Sequence, residues 1–280
     1  ILVSSDWLEA QLGADDLVIL DASWHMPATG RSGRAEYEAE HIPGAVYFDI
    51  DEIADKTSGL AHTMPSAPDF ARACQALGIG DDMRIVIYES EFPFSAPRVW
   101  WMFFVMGARQ VHLLDGGFKK WRSEGRALEA GPVTPTPRSF SASFDAARIA
   151  SLDDMREIIA GGGRQVIDAR SNPRFTGGEA DPRPGVRAGH MPGAKNMHYA
   201  SFANEDGTIK DNEALAALFA AAGIDMDAPV TTSCGSGVTA AVPLLALALL
   251  GKGGDMALYD GSWSEWGALA DTPVKTGNEP

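Results

Sequence analysis

Pro229-Val230-Thr231-Thr232-Ser233-Cys234-Gly235-Ser236-Gly237-Val238-Thr239 runs straight into the apolar stretch Ala240–Leu250, which Gly251 closes. The first five residues favour a strand, and the last stretch predicts a buried helix. A cysteine at the tip of a strand, followed by a small-residue loop that opens a helix, is a place to hold an anion. Gly235 and Gly237 let the backbone curl so that several N–H groups point at one spot. The start of the helix adds partial positive charge, which favours a thiolate. The other cysteine, Cys74, lies in the amphipathic pattern Asp69–Leu77 and reads as packing.

Upstream and downstream, the chain is written twice. Glu40-His41-Ile42-Pro43-Gly44-Ala45 returns as Gly189-His190-Met191-Pro192-Gly193-Ala194. Val18–Ser23 matches Gln165–Arg170, and Leu113-Leu114-Asp115-Gly116-Gly117-Phe118 matches Leu258-Tyr259-Asp260-Gly261-Ser262-Trp263. Matched blocks in the same order indicate a duplicated domain. Residues 1–130 form one copy and 145–280 the other. Between them, 131–144 carries Pro132, Pro135 and Pro137 and reads as an extended, semi-stiff linker.

Within the first copy, Leu17–Leu20, Arg84–Tyr88 and Gln110–Leu114 read as strands. Ser5–Leu12, Pro68–Leu77, Ala96–Met106 and Phe118–Glu124 read as helices. The second copy offers strands at Gln165–Asp168, Val230–Ser233 and Met256–Tyr259. This alternation predicts an α/β fold, tandem domains each with a parallel sheet flanked by helices on both faces. Ligands of such sheets sit beyond the carboxyl ends of the strands, where the Cys234 loop begins. Counted back from the Asp-Gly pairs, the first-copy counterpart of Cys234 is Glu89, in a segment without a thiol. One copy is chemical and the other a scaffold.

The bulk numbers narrow the partners. A length of 280 residues suits two domains. The net charge of −15 argues against nucleic acid or an anionic membrane surface. No apolar run is long enough to span a bilayer, no signal peptide is read at the start, which is Ile1 and not Met, and two cysteines make no disulfide framework. A reducing cytoplasm is the expected compartment.

The tandem His-x-Pro-Gly-Ala blocks, the Asp-Gly-Gly and Asp-Gly-Ser-Trp blocks and the single cysteine loop resemble the two-domain rhodanese family of sulfurtransferases, over essentially the whole chain. Within that family, Cys234-Gly235-Ser236-Gly237-Val238-Thr239 is similar to the loop of members that use 3-mercaptopyruvate. Thiosulfate-using members carry basic residues after the cysteine, where this chain has Gly235 and Ser236. Thiosulfate is a dianion that needs charge beside the sulfur, whereas mercaptopyruvate carries its one carboxylate at the far end. A phosphate-transferring loop of this type would need an Arg where Ala240 stands.

The resemblance implies covalent transfer. Cys234 takes sulfur from 3-mercaptopyruvate as a persulfide, pyruvate leaves, and a thiol acceptor such as thioredoxin or a small thiol, or cyanide, removes the sulfur, with no metal or organic cofactor. The alternatives are a thiosulfate sulfurtransferase and an idle sulfur-carrier or redox module. The loop 172–185 carries Arg174 and Arg183, which by resemblance hold the donor's carboxylate and carbonyl, with Arg187 a further candidate. Ser236 is a hydrogen-bond donor to the substrate. Gly235, Gly237 and Val238 build the cradle, and Thr239 either joins it or caps the following helix. The resemblance also implies that His41 orients the substrate or Ser236 in a Ser-His-acid relay, for which no acid is identifiable. His190 reads as a turn lock, and Asp168 as a binder of loop backbone.

Overall fold

Ten short strands form two five-stranded sheets among residues 1–279, which the computed structural model describes. The first sheet contains β1 (Leu2–Val3), β2 (Leu17–Asp21), β3 (Val46–Tyr47), β4 (Arg84–Tyr88) and β5 (Val111–Leu114), ordered β1-β5-β4-β2-β3. The second contains β6 (Ile149–Ala150), β7 (Gln165–Asp168), β8 (Ala194–Asn196), β9 (Val230–Ser233) and β10 (Met256–Tyr259), ordered β6-β10-β9-β7-β8. Every pairing is parallel, and the two orders are the same order repeated. The expected α/β duplication is therefore present.

The central strands formed because their runs are apolar or β-branched and buried on both faces, as in Ile85-Val86-Ile87 and Val166-Ile167. Three of the four edge strands have only two residues, which leaves little unpaired backbone for another chain to template on. Helices start on local signals. Ser4, Ser66 and Asp211 cap their helices by accepting a backbone N–H, and Ser151 forms a reciprocal capping box with Asp154. Each sheet carries its own aromatic core, centred on Trp121 and Tyr88 in the first and on Trp263, Trp266 and Tyr259 in the second.

The chain divides into two compact units that exchange short segments. Unit one is Ile1–Asp55, Met64–Asp145 and Ala203–Ile209, and unit two is Lys56–Thr63, Ala146–Phe202 and the chain from Lys210. Residues 131–144 are extended and run along unit one. Gly131 N donates to Glu38 O, Arg138 N to Gln75 O and Asp81 N to Ser139 O, while Phe140 packs edge-on against Phe70 and Phe103. Prolines keep this segment from closing a helix, and these contacts tie it down.

Register fixes the equivalence of the halves. Asp21 pairs with Tyr88 across β2 and β4, and Asp168 pairs with Ser233 across β7 and β9. The next residues along, Glu89 and Cys234, are counterparts, as the repeat spacing predicts.

Candidate active site

Cys234 leaves the end of β9 and is 2% exposed. Its backbone is gripped from one side by the Asp260-Gly261-Ser262-Trp263-Ser264 turn. Cys234 N donates to Ser262 Oγ at 3.1 Å, Trp263 N donates to Cys234 O at 3.0 Å, and Ser264 N donates to Gly235 O at 2.9 Å. A trans peptide points its N–H opposite to its C=O. With those two carbonyls turned to the clamp, the N–H groups of Gly235 and Ser236 point the other way, into the loop. Gly237 turns the chain at φ +81°, a conformation glycine adopts without strain. Helix Ala241–Leu249 then begins at Ala240 with no side-chain cap, and its first amides, Ala241 N and Val242 N, donate to the carbonyls of Val238 and Thr239. Thr239 is thus not the cap; with Ser236 and Val238 it is buried in the loop wall.

Arg174 and Arg183 meet at this loop. A methyl group built on Gly235 would lie 3.4 Å from Arg174 Nη2 and 3.3 Å from Arg183 Nη1. Glycine at 235 therefore keeps the contact distance that the two guanidinium groups need. Arg174 comes from the short helix Asn172–Thr176, closed by Gly177 in the left-handed region. Both arginines share Asp181, whose Oδ2 accepts from Arg174 Nη2 at 2.5 Å and whose Oδ1 accepts from Arg183 N at 3.0 Å. Arg174 Nε is buried and has no hydrogen-bond partner among the described residues. A buried donor without an acceptor is costly, and an incoming carboxylate oxygen would remove that cost.

The imidazole at the loop belongs to His62. Its Nδ1 is 3.0 Å from Ser236 Oγ, and both residues lie in unit two because Lys56–Thr63 packs there. The only non-glycine residues with positive φ among those described are His62 (φ +63°) and Ser262 (φ +50°). Both bond the Cys234 loop. Non-glycine residues pay about 1–2 kcal/mol to sit in that region, and such strain collects at functional sites.

His41 does something else, which corrects its expected role. It is fully buried in unit one, stacked on Tyr37 with ring centroids 4.3 Å apart, and its Nδ1 is 2.8 Å from Tyr37 O. His190 repeats this arrangement on Phe175, with Nδ1 2.9 Å from Phe175 O. Each also exchanges two backbone hydrogen bonds, His41 with Glu129 and His190 with Lys275. The His-x-Pro-Gly motif locks the same turn in both copies. Arg187 is likewise structural, its guanidinium binding the carbonyls of Trp266, Gly267, Leu269 and Thr272. Asp168 accepts Arg170 N and pairs with the Arg170 guanidinium, which lies over the Trp263 ring, so it supports the turn and not the chemistry.

In unit one the equivalent loop has filled itself. From Glu89 to helix Ala96–Val105 the spacing equals that from Cys234 to helix Ala241–Leu249. The Glu89 carboxylate accepts from Phe94 N and Ser95 N at 2.6 Å and from Ser95 Oγ at 2.7 Å. A carboxyl side chain occupies the cradle there. Where unit two has Ser262, unit one has Gly117, whose added Cβ would meet Glu89 O at 2.6 Å. That Gly-to-Ser difference between the repeats was the one available sign of Ser262. Asp181 was visible only as one acid among several, and His62 gave no sign, since it sits in the scaffold half of the sequence.

The Rhodanese-like domain model matches residues 4–124 and 151–269. The chain belongs to the rhodanese family. This rhodanese is 41% identical over 271 residues to the human 3-mercaptopyruvate sulfurtransferase, covering 95% of this chain and 91% of that protein. It is 40% identical over 272 residues to the thiosulfate sulfurtransferase of Cricetulus griseus, with 95% and 91% covered. Among solved structures it is similar to SseA from Escherichia coli, described as a 3-mercaptopyruvate sulfotransferase with the rhodanese fold. That likeness has a TM-score of 0.86 at 38% identity and covers 94% of this chain and 98% of SseA. Relatives named for either donor are thus nearly equally similar to this rhodanese.

Proposed function

We propose that this rhodanese is a 3-mercaptopyruvate sulfurtransferase. The observation that carries the donor assignment is the convergence of Arg174 and Arg183 on Gly235, beside an otherwise uncharged loop. Two forked guanidinium groups stand against the loop, and such forks suit a carboxylate. A donor with sulfur at one end for Cys234 and a carboxylate at the other for the arginines fits this pairing.

The Cys234 thiolate attacks the sulfur of 3-mercaptopyruvate and forms an S–S bond while the substrate C–S bond breaks. The bonding pair passes to the substrate carbon, giving the enolate of pyruvate, which a proton converts to pyruvate. Charge developing on the enolate oxygen is met by Ser236, the partner of His62, and by the arginines, in the manner of an oxyanion hole. The persulfide rests among the loop N–H groups. An acceptor thiolate then attacks its outer sulfur, restoring Cys234. Thioredoxin or a small thiol, or cyanide, is the acceptor this reading assigns, and the cytoplasm the compartment. Among the described residues no helix is long and apolar enough to cross a membrane.

The deciding experiment compares kcat/KM for 3-mercaptopyruvate and thiosulfate with a common acceptor. The proposal expects a clear preference for 3-mercaptopyruvate. A preference for thiosulfate would overturn it and favour the second reading, which the hamster relative makes specific.

A further inference from the structure

The two arginines of the loop are held by a single acid. The Asp181 side chain is almost wholly buried, at 1% exposed. It binds Arg174 Nη2 through one oxygen and both Arg183 N and Arg183 Nη1 through the other, the last at 3.3 Å. Burial pushes this carboxyl up, but the Arg183 amide, the Arg174 hydrogen bond and the two guanidinium charges outweigh that and hold it below the usual carboxylate range. The cluster therefore contains two cations and one permanent anion. The loop itself, Gly235 to Thr239, adds no charge.

We infer that Asp181 is a positioning residue that sets donor specificity: it fixes both guanidinium forks and leaves their cluster, counted apart from the Cys234 thiolate, one net positive charge, which selects a monoanionic donor over a dianionic one. The inference rests on the donor-site reading above and deepens it. A monoanion is matched by one net charge. A dianion loses far more hydration on leaving water, because that cost grows with the square of the charge, and one net cation does not repay it. Replacing the Asp181 carboxylate by a neutral group of the same shape raises the net charge to two, and the dianion gains twice as much from that change as the monoanion. Arg174 Nε, without a hydrogen-bond partner among the described residues, is the one buried donor of this pair that Asp181 leaves unsatisfied.

The test measures kcat/KM for thiosulfate and for 3-mercaptopyruvate in wild type, Asp181→Asn and Asp181→Glu. In Asp181→Asn the thiosulfate-to-mercaptopyruvate ratio is expected to rise by about tenfold or more, mainly through a lower KM for thiosulfate. Asp181→Glu keeps the charge and is expected to keep the wild-type ratio. An unchanged ratio in a folded Asp181→Asn protein, or the same rise in both variants, overturns the inference. Should Asp181→Asn not fold, wild type alone decides. Pyruvate is expected to shield Cys234 from iodoacetamide at lower concentration than sulfate, and the reverse order overturns the inference. A wild type that transfers sulfur from neither donor sinks the underlying function instead, and the two failures are distinguishable.

Discussion

His62 Nδ1 lies 3.0 Å from Ser236 Oγ, joining two residues 174 positions apart inside one compact unit. The contact replaces His41 as the histidine of the Ser236 pair and gives the two histidines opposite mutational signatures. His62→Ala and Ser236→Ala are each expected to lower kcat by about 10²–10³-fold with little change in thermal stability. The double variant should be hardly worse than either single one, because the residues act as a unit. His41→Ala removes a buried stacked ring and its hydrogen bond, so it should cost about 2–4 kcal/mol of stability while the folded fraction keeps its kcat. Steady-state rates paired with thermal melts separate the cases. A kcat collapse in a folded His41→Ala protein would contradict this assignment.

Ser262 is held left-handed and accepts the Cys234 N–H, whereas its counterpart in the other unit is Gly117. Ser262→Gly should relieve about 1 kcal/mol of backbone strain and lose a hydrogen bond worth about the same, leaving stability near wild type. Its cysteine loop is expected to loosen, so that alkylation of Cys234 and turnover both slow. Ser262→Ala keeps the strain without the bond and should be the less stable of the two. The comparison needs only melts and iodoacetamide kinetics, and unaltered Cys234 reactivity in Ser262→Gly would remove Ser262 from the loop's support.

Most of the architecture was readable because each central strand is a short apolar or β-branched run bounded by turn residues. Gln165–Asp168, Val230–Ser233 and Met256–Tyr259 have the ends expected of them. The two-residue edge strands were not readable, since Leu2–Val3 or Ile149–Ala150 carry no period of their own and exist only by pairing with β5 or β10. At the site, Cys234, Arg174 and Arg183 announced themselves by residue type and loop composition. His62 did not, because its value comes from Lys56–Thr63 belonging to unit two although the sequence around it belongs to unit one, a tertiary fact that local pattern does not encode.

Glu89 predicts a pH dependence that belongs to the scaffold unit. Burial pushes its carboxyl up to about 7, with the Phe94 and Ser95 donors offsetting part of that rise. An unfolded glutamate titrates near 4.3, so between about 4.5 and about 7 the folded protein binds more protons than the unfolded chain. This group's contribution to stability is therefore full below that window, is lost as pH climbs through it, and is flat above. Glu89→Gln has no such titration. Relative to it, wild type should lose up to about 3 kcal/mol of stability from pH 5 to pH 8, read from denaturant melts. Parallel pH profiles for the two proteins would show that Glu89 does not titrate in this range.

The covalent step itself can be weighed. Wild-type protein is mixed with 3-mercaptopyruvate, no acceptor is added, and the intact mass is recorded before and after a thiol chase. The account predicts a gain of about 32 Da located at Cys234, lost on the chase and absent in Cys234→Ser. An unchanged mass while pyruvate is being released, or a gain carried by Cys74, would contradict it.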